Sequence, residues 1–420
     1  MSRSDHDAVR SDHDAARSDH DAVRSDHDAV PTTTLDLTAP EVVADPYPFL
    51  AEERARHAVA WHEPTGMYLA FDHASVSAIQ RDRRFGRIWK DRQPPDDRPA
   101  GYLEPFNLLH RNQMMENEPP AHTRLRRPVA SAFARGHVER LRPRVRELAA
   151  ALLEDVDPAG FDAIAAYAEP LPVLVIADLL GVPRSYAHDL RDWSQAIVRM
   201  YEVAPSQQTV DDAVRAATDF AGLVRELVAE RRAAPADDLI TDLVATELDE
   251  DEVVAAVVLL LNAGHEASVN VFGNGLAAML RRGLRPGADV AATVEEMLRF
   301  DSALQLFERT ATEDVEFAHG EQTVVVERGQ KIAALLGAAN RDPAVFDRPD
   351  DFLVDRAPNN HLAFGVGVHF CLGAPLARME LAESVPVLFG TFPDLELAAE
   401  PESRGTFVLR GFRRVPVRGV

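Results

Sequence analysis

A chain of 420 residues, 46% apolar and 27% charged, has the composition of a soluble globular protein, which excludes fibrous and wholly disordered classes. Its 68 acidic side chains outnumber 45 basic ones for a formal charge of -23, which argues against nucleic acid or an anionic membrane surface as partner. The single cysteine, Cys371, precludes an intramolecular disulfide and fits a reducing, cytoplasmic setting, and the longest strictly apolar run, Val253 to Leu261, falls far short of the ~20 residues that span a bilayer.

In chain order, residues 3 to 30 repeat Arg-Ser-Asp-His-Asp-Ala-Val with a period of seven, broken only by Ala16. Each unit offers one Ala-Val pair as apolar surface, too little to offset the entropy of ordering it, so a disordered tail is expected over residues 1 to 34. It is too charged for a signal peptide, and its His and Asp groups could chelate a metal but read more simply as a solvated tail. From about residue 40 helices alternate with short strands. Pro46 and Pro48 lead into a helix over Phe49 to His57, followed by a strand over Met67 to Phe71 and a helix over Ala74 to Arg81. Residues 86 to 120 hold eight prolines and glycines, which predicts a long functional loop with Trp89, Tyr102, Phe106 and Met114 placed to line a pocket. Segments rich in Ala, Leu, Arg and Glu over 137 to 155, 209 to 232 and 250 to 282 predict long helices, with late strands at Thr323 to Val326 and Phe407 to Leu409. The fold class is therefore mainly α with minor β-sheets, in a single domain over residues 35 to 420.

The chemistry concentrates in FGVGVHFCLGAPLAR, residues 364 to 378, where Cys371 lies in a glycine-rich loop that opens into a helix. A helix amino terminus favours an anion, so Cys371 is expected to be a thiolate, the ligand a soft metal centre takes. Gly365, Gly367 and Gly373 are expected at positive φ, letting backbone approach a flat cofactor. An isolated buried cysteine is ordinarily structural, but the spacing from Phe364 through Gly365, His369 and Cys371 to Gly373 resembles the haem-binding loop of the cytochrome P450 family.

Other segments carry the same resemblance. Glu296 and Arg299, in EEMLRF, match the family's E-x-x-R, and Arg356 matches the arginine completing its ion network; alone, such a pair is an ordinary solvated one. His122 and Arg126, in PPAHTRLRR, match the helix that contacts haem propionates, with Arg309 and His369 as the further propionate partners. On the long helix, Ala263, Gly264, Glu266 and Ala267 match the distal A-G-x-x-T element, with Gly264 expected to leave room for dioxygen or merely to permit close packing. Ala267 stands where the family usually has threonine, so the acid Glu266 is kept while the hydroxyl of the usual proton relay is missing; ordered water or a substrate hydroxyl is expected in its place, and Ser268 is expected to point elsewhere. A second departure is that 32 positions separate Gly264 from Glu296, fewer than is common, with RRGLRPGADV replacing part of a connecting helix.

The resemblance covers about residues 35 to 420 and implies a triangular, mostly helical prism holding haem b between the long distal helix and the cysteine-loop helix, with the Cys371 thiolate on the iron. It implies a monooxygenase that takes two electrons from a ferredoxin, itself served by ferredoxin reductase and NAD(P)H, to oxidise a hydrophobic small molecule with O2. Arg124, Arg126, Arg127, Arg135 and Arg378 are expected as a basic patch for the electron carrier, unless they are solvated or bind propionate. The substrate pocket is expected from Trp89, Tyr102, Phe106, Met114 and Met115, with Trp193 to Tyr201 as a lid and Leu304, Leu306 and Phe307 as a third wall. Tailoring of a polyketide, macrolide or peptide is the preferred role, by family analogy and the arginine-rich composition. A non-catalytic haem protein that binds a ligand or senses a gas, which Ala267 favours, and a peroxide-driven enzyme are the alternatives.

Overall fold

The chain was analysed as a computed structural model that describes residues 30–94, 97–202, 205–319 and 322–419; the repeats before residue 30, and the disorder expected of them, lie outside the described residues. Thr32–Thr33, inside the span expected for the tail, forms strand β1. With β2 (Val59–His62), β3 (Met67–Ala70), β4 (Phe85–Gly86), β5 (Phe307–Ala311) and β6 (Lys331–Ala334) it makes one six-stranded sheet, ordered β1-β2-β3-β6-β5-β4. Register is set by antiparallel Val59 opposite Ala70 and parallel Tyr68 opposite Ile332, which turns Tyr68 and Ile332 into one buried cluster with Val76 and Ile79.

The helices that position the site are α1 (Tyr47–Arg56), α2 (His73–Arg81), α3 (Glu104–Arg111), α4 (Ala121–Ala130), α5 (Arg135–Ala151), α6 (Pro170–Leu180), α7 (Ala187–Val198), α8 (Gln207–Ala233), α9 (Glu250–Arg281), α10 (Val290–Phe300) and α11 (Ala374–Thr391). Residues 86 to 120 are therefore not one long loop: Pro105 at the start of α3 takes a position whose N–H needs no partner, and Phe106 and Leu109 bury one face. Likewise the strand expected over Phe407 to Leu409 is absent among the described residues; only a single bridge joins Leu304 to Leu409. Thr323 to Val326 does pair, in a hairpin with Val315–His319.

α9 starts at a capping box, with the Asp249 carboxylate accepting from Glu252 N–H and the Glu252 carboxylate from Asp249 N–H. At 1.5 Å per residue its 32 residues extend about 48 Å, the length of the whole domain. Its length and apolarity would suffice to cross a membrane, but 78% of its most apolar window is buried inside the protein, as a core helix requires. The eight residues after Arg281 connect directly to α10, which Asp289 caps, so the short spacing noted above costs a connecting element and leaves both helices intact.

α10 carries the buried ion network. Arg299 Nε and Nη2 donate to the two Glu296 oxygens at 2.8 Å, and Arg356 Nε donates to Glu296 at 2.9 Å. Glu296 and Arg299 are 0% exposed. The remaining donors reach the carbonyls of Asn340, Pro349 and Asp351, and Leu353 N–H and Asn359 Nδ2 complete the carboxylate. Such a network stabilises only because every member is satisfied; removing one leaves a buried charge. Glu296→Ala should therefore cost about 3–5 kcal/mol in denaturant unfolding, and an unchanged midpoint would contradict the network's role.

Candidate active site

Phe364 to Gly373 forms a tight loop between the sheet and α11. Gly365 and Gly367 have φ of +64° and +81°, as expected, whereas Gly373 has φ of -79° and serves as the N-cap of α11. Glycine is needed at 367 for a second reason: a Cβ there would lie 2.4 Å from the Gln80 carbonyl at the end of α2. Gln80 Oε1 also accepts from Val366 N–H at 2.8 Å, and Cys371 N–H donates to the Phe364 carbonyl at 2.9 Å. These contacts present Cys371, partly accessible, ahead of α11.

Burial pushes the Cys371 thiol above its ordinary value, and the N–H groups of Gly373 and Ala374 with the charges of Arg126 and Arg378 pull it down. Metal binding releases the proton of a ligand thiol, so this direction in the metal-free protein is compatible with a thiolate ligand.

Around this cysteine the fold gathers positive charge. Arg126 Nη2, on α4, donates to the Phe370 carbonyl at 2.7 Å, one residue from Cys371. His122, one turn earlier, packs against His369 with ring centroids 4.7 Å apart. Arg309, on β5, is buried, and desolvation reinforced by Arg87 lowers it to about 10. Burial, then His369 and Arg126, lower His122 to about 4, and neither of its ring nitrogens has a partner among the described residues. His369 instead meets Glu118 at 2.7 Å, and Arg87 pairs with Glu116. Sequence reasoning missed Arg87, Glu116 and Glu118; the two acids carry one sequence signal, their nearness to Pro119-Pro120 and His122, and Arg87 carries none. Two arginines and two histidines converging beside a cysteine fit a ligand that brings two carboxylates and a soft metal, which is what haem b offers.

Between Glu252 and Met279 of α9, only Ala263, Gly264, Ala267 and Ser268 escape burial. They stand at i, i+1, i+4 and i+5, so the part of the long helix left outside the core carries small side chains only. Gly264 itself does not leave the room: an added Cβ would point at Ile176 of α6, at an ordinary 3.6 Å. Ser268 turns away from Ala267 into a cavity of about 20 Å³ with Tyr167, Ser384 and Glu380, whose carboxyl burial pushes up to about 8. Glu266 is buried and bound through Oε2 by Arg404 at 2.7 Å, a partner from the carboxy-terminal segment that no local pattern signalled.

The expected pocket residues divide among three cores. Trp89, Phe106, Met114 and Met115 share the largest one, where Trp89 and Phe106 flank His110 at 4.6 and 4.0 Å between centroids. Burial lowers His110 to about 3, and its Nε2 meets the Tyr201 hydroxyl at 3.0 Å, tying α3 to the expected lid. Trp193 tilts over Phe220 of α8, while Tyr102 lies toward the surface, its hydroxyl donating to Asp211 at 2.6 Å. Leu306 packs with Leu50 and Phe71, Leu304 beside it, and Phe307 carries the guanidinium groups of Arg87 and Arg309 on its ring at 4.7 and 4.9 Å. The basic patch is partly neutralised: Arg124 pairs with Glu252 and Arg378 with Glu295, leaving Arg127 exposed; the Arg135 side chain lies outside the described groups.

A model of the cytochrome P450 family matches residues 290–392. Among curated proteins, the chain is 33% identical over 410 residues to the cytochrome P450 monooxygenase PikC of Streptomyces venezuelae, covering 92% of this chain and 94% of that one. It is 35% identical over 322 residues to the polyketide biosynthesis cytochrome P450 PksS of Bacillus subtilis, covering 73% and 77%. Among solved structures, P450BioI in complex with acyl carrier protein ligated to hexadec-9Z-enoic acid superimposes with a TM-score of 0.84 at 30% identity, covering 90% of this chain and 100% of that one.

Two outcomes follow. Gly264→Ala should fold and bind haem with stability within about 1 kcal/mol of the parent, since alanine is the better helix former and finds space; loss of the haem spectrum would show that glycine is required there. Glu295, which anchors α11 through Arg378 and meets His361, would be raised by burial, but those hydrogen bonds hold it at about 2. Its stabilisation is complete above the ordinary 4.5 and is lost as pH falls toward 2, so Glu295→Gln should flatten the acid dependence of unfolding across that window. Identical acid titrations of the two proteins would assign the anchor no weight.

Proposed function

The chain belongs to the cytochrome P450 family, whose members ligate haem through a cysteine thiolate, and is a monooxygenase; from that premise we propose that it oxidises a hydrophobic small molecule of secondary metabolism, of polyketide, macrolide or peptide type. The observation that carries the site assignment is that Arg126 and the His122–His369 ring pair lie beside Cys371, with Arg309 acting on the Glu118 that His369 meets, an arrangement that suits an anionic ligand. The polyketide role of PksS supports the substrate class. The apolar stripe Ala263, Gly264, Ala267 supports a substrate without strong polar anchors.

In this reading Cys371, as the thiolate, would hold the iron, Arg126, Arg309, His122 and His369 would hold the propionates, and Glu118 would release His369 for that role. Bound there, the haem supplies the activation of dioxygen, using two electrons and two protons. Glu266 takes up and passes on a proton at its carboxyl, whose affinity for it burial raises against the opposing pull of Arg404. Ala267 offers no hydroxyl, so a substrate hydroxyl or ordered water completes delivery. Electrons come from a ferredoxin, reduced by NAD(P)H through a reductase. The exposed Val368 and Phe370 beside Cys371 and the exposed Arg127 support docking there, in a cytoplasmic setting that the single cysteine also fits.

Optical titration of the ferric protein with a panel of macrolides, polyketides, steroids and fatty acids should give a spin-state change for one class, followed by oxygenated product with a surrogate ferredoxin system. A ferrous protein whose carbon-monoxide complex lacks the red-shifted Soret band of sulfur ligation would overturn the assignment. Product formed from hydrogen peroxide without a reductase would favour peroxide-driven turnover over ferredoxin. If Ala267→Thr improves coupling with every substrate, assistance by a substrate hydroxyl is excluded.

A further inference from the structure

Next to Glu266 on α9 stands His265, 0% exposed, with neither ring nitrogen partnered among the described residues. A buried imidazole with two unanswered polar atoms is costly and asks for a role. Its Nδ1 lies 3.6 Å from Glu266 Oε1, the one oxygen of that carboxyl left without a hydrogen bond when Arg404 takes Oε2. α6 and α7 both pack on α9, and Glu169, at the start of α6, exerts the largest charge effect on the ring. Glu169 reaches the protein's edge, where Gln195 Nε2 of α7 donates to it at 2.6 Å and Arg191 faces it at 3.6 Å. The same two helices carry further buried atoms without partners among the described residues, Ser194 Oγ on α7 and Asn262 Oδ1 one turn before His265 on α9.

We propose that His265 is a proton-relay residue linking Glu169 at the surface to Glu266 inside, along a water-bridged seam where α6 and α7 pack on α9. The proposal rests on the monooxygenase reading and deepens it, because a helix without a hydroxyl at position 267 still needs protons to reach Glu266. A proton from Glu169, passed by water, adds to Nε2 as the Nδ1 proton leaves to Glu266 Oε1; exchange with water then restores the starting tautomer. One proton moves and no electrons do. Imidazole suits this because one nitrogen accepts while the other donates. The groups facing the pair are Glu169 and Arg191 from the α6–α7 side, Arg404 from the carboxy-terminal segment, and Arg199 beyond Glu266. Burial lowers His265 to about 4 and raises Glu266, which narrows the gap between donor and acceptor.

The test has two readouts. In ligand-free, full-length protein with nitrogen-labelled histidine, the His265 ring proton should exchange with water rapidly, and Glu169→Gln should slow that exchange about tenfold. A ring proton that stays protected, or exchange indifferent to Glu169→Gln, overturns the path. In holoenzyme with a surrogate ferredoxin and reductase and no organic substrate, His265→Phe should lower dioxygen uptake about tenfold and alter its solvent isotope effect, while the carbon-monoxide spectrum stays sulfur-ligated. Uptake unchanged in both His265→Phe and Glu169→Gln overturns it. If wild-type holoenzyme takes up no dioxygen with any electron donor while ring exchange still follows Glu169, the functional reading fails and the proton path stands.

Discussion

The constraint on which the rest depends is the presentation of one desolvated thiol at a fixed place. A free loop could not hold Cys371 there, so the chain braces it from two sides. Ahead of it, Gln80 closes on Val366 and Gly367. Behind it, α11 is tied by Arg378 to Glu295 on α10. Glu295 and Glu296 are neighbours with divided tasks: the first turns toward α11, the second inward to Arg299 and Arg356. The buried ion network thus stiffens the helix that braces the cysteine helix, which connects folding energetics to the site without any contact between them.

Electrostatics makes the same point at a different scale. A chain with a formal charge of -23 nonetheless builds a pocket of Arg87, Arg126, Arg309, His122 and His369, because α4, β5 and the cysteine loop meet edge to edge. Desolvation depresses Arg309 and His122, and the acids within reach, Glu116 and Glu118, are already spoken for by Arg87 and His369. A dianionic ligand would relieve that imbalance. The distal helix shows the complementary logic: it is buried nearly throughout and opens only at small residues, so shape there is set by what the side chains lack.

Much of this was legible in the residues. Long apolar periodicity located α5, α8 and α9, and the spacing of glycine, histidine and cysteine located the site, since those patterns report local backbone demands. The segment from 86 to 120 was read as a loop because eight prolines and glycines outweigh the short amphipathic turn of α3, whose Phe106 becomes buried only on packing. Leu304, Leu306 and Phe307 look like one wall in sequence, yet Leu306 and its neighbour Phe307 go to different cores, with Leu304 touching both.

By itself the sequence determined the helical class and the family, and it singled out Cys371 as the candidate metal ligand and Glu296 with Arg299 as a candidate ion pair, because these are encoded in local patterns. Only the tertiary structure decided that burial raises the Cys371 thiol, that Gly264 faces Ile176, that Arg404 reaches Glu266, and that the charge of Glu169 acts on His265. These depend on burial and on approach between segments far apart in the chain, and neither quantity exists until the chain has folded.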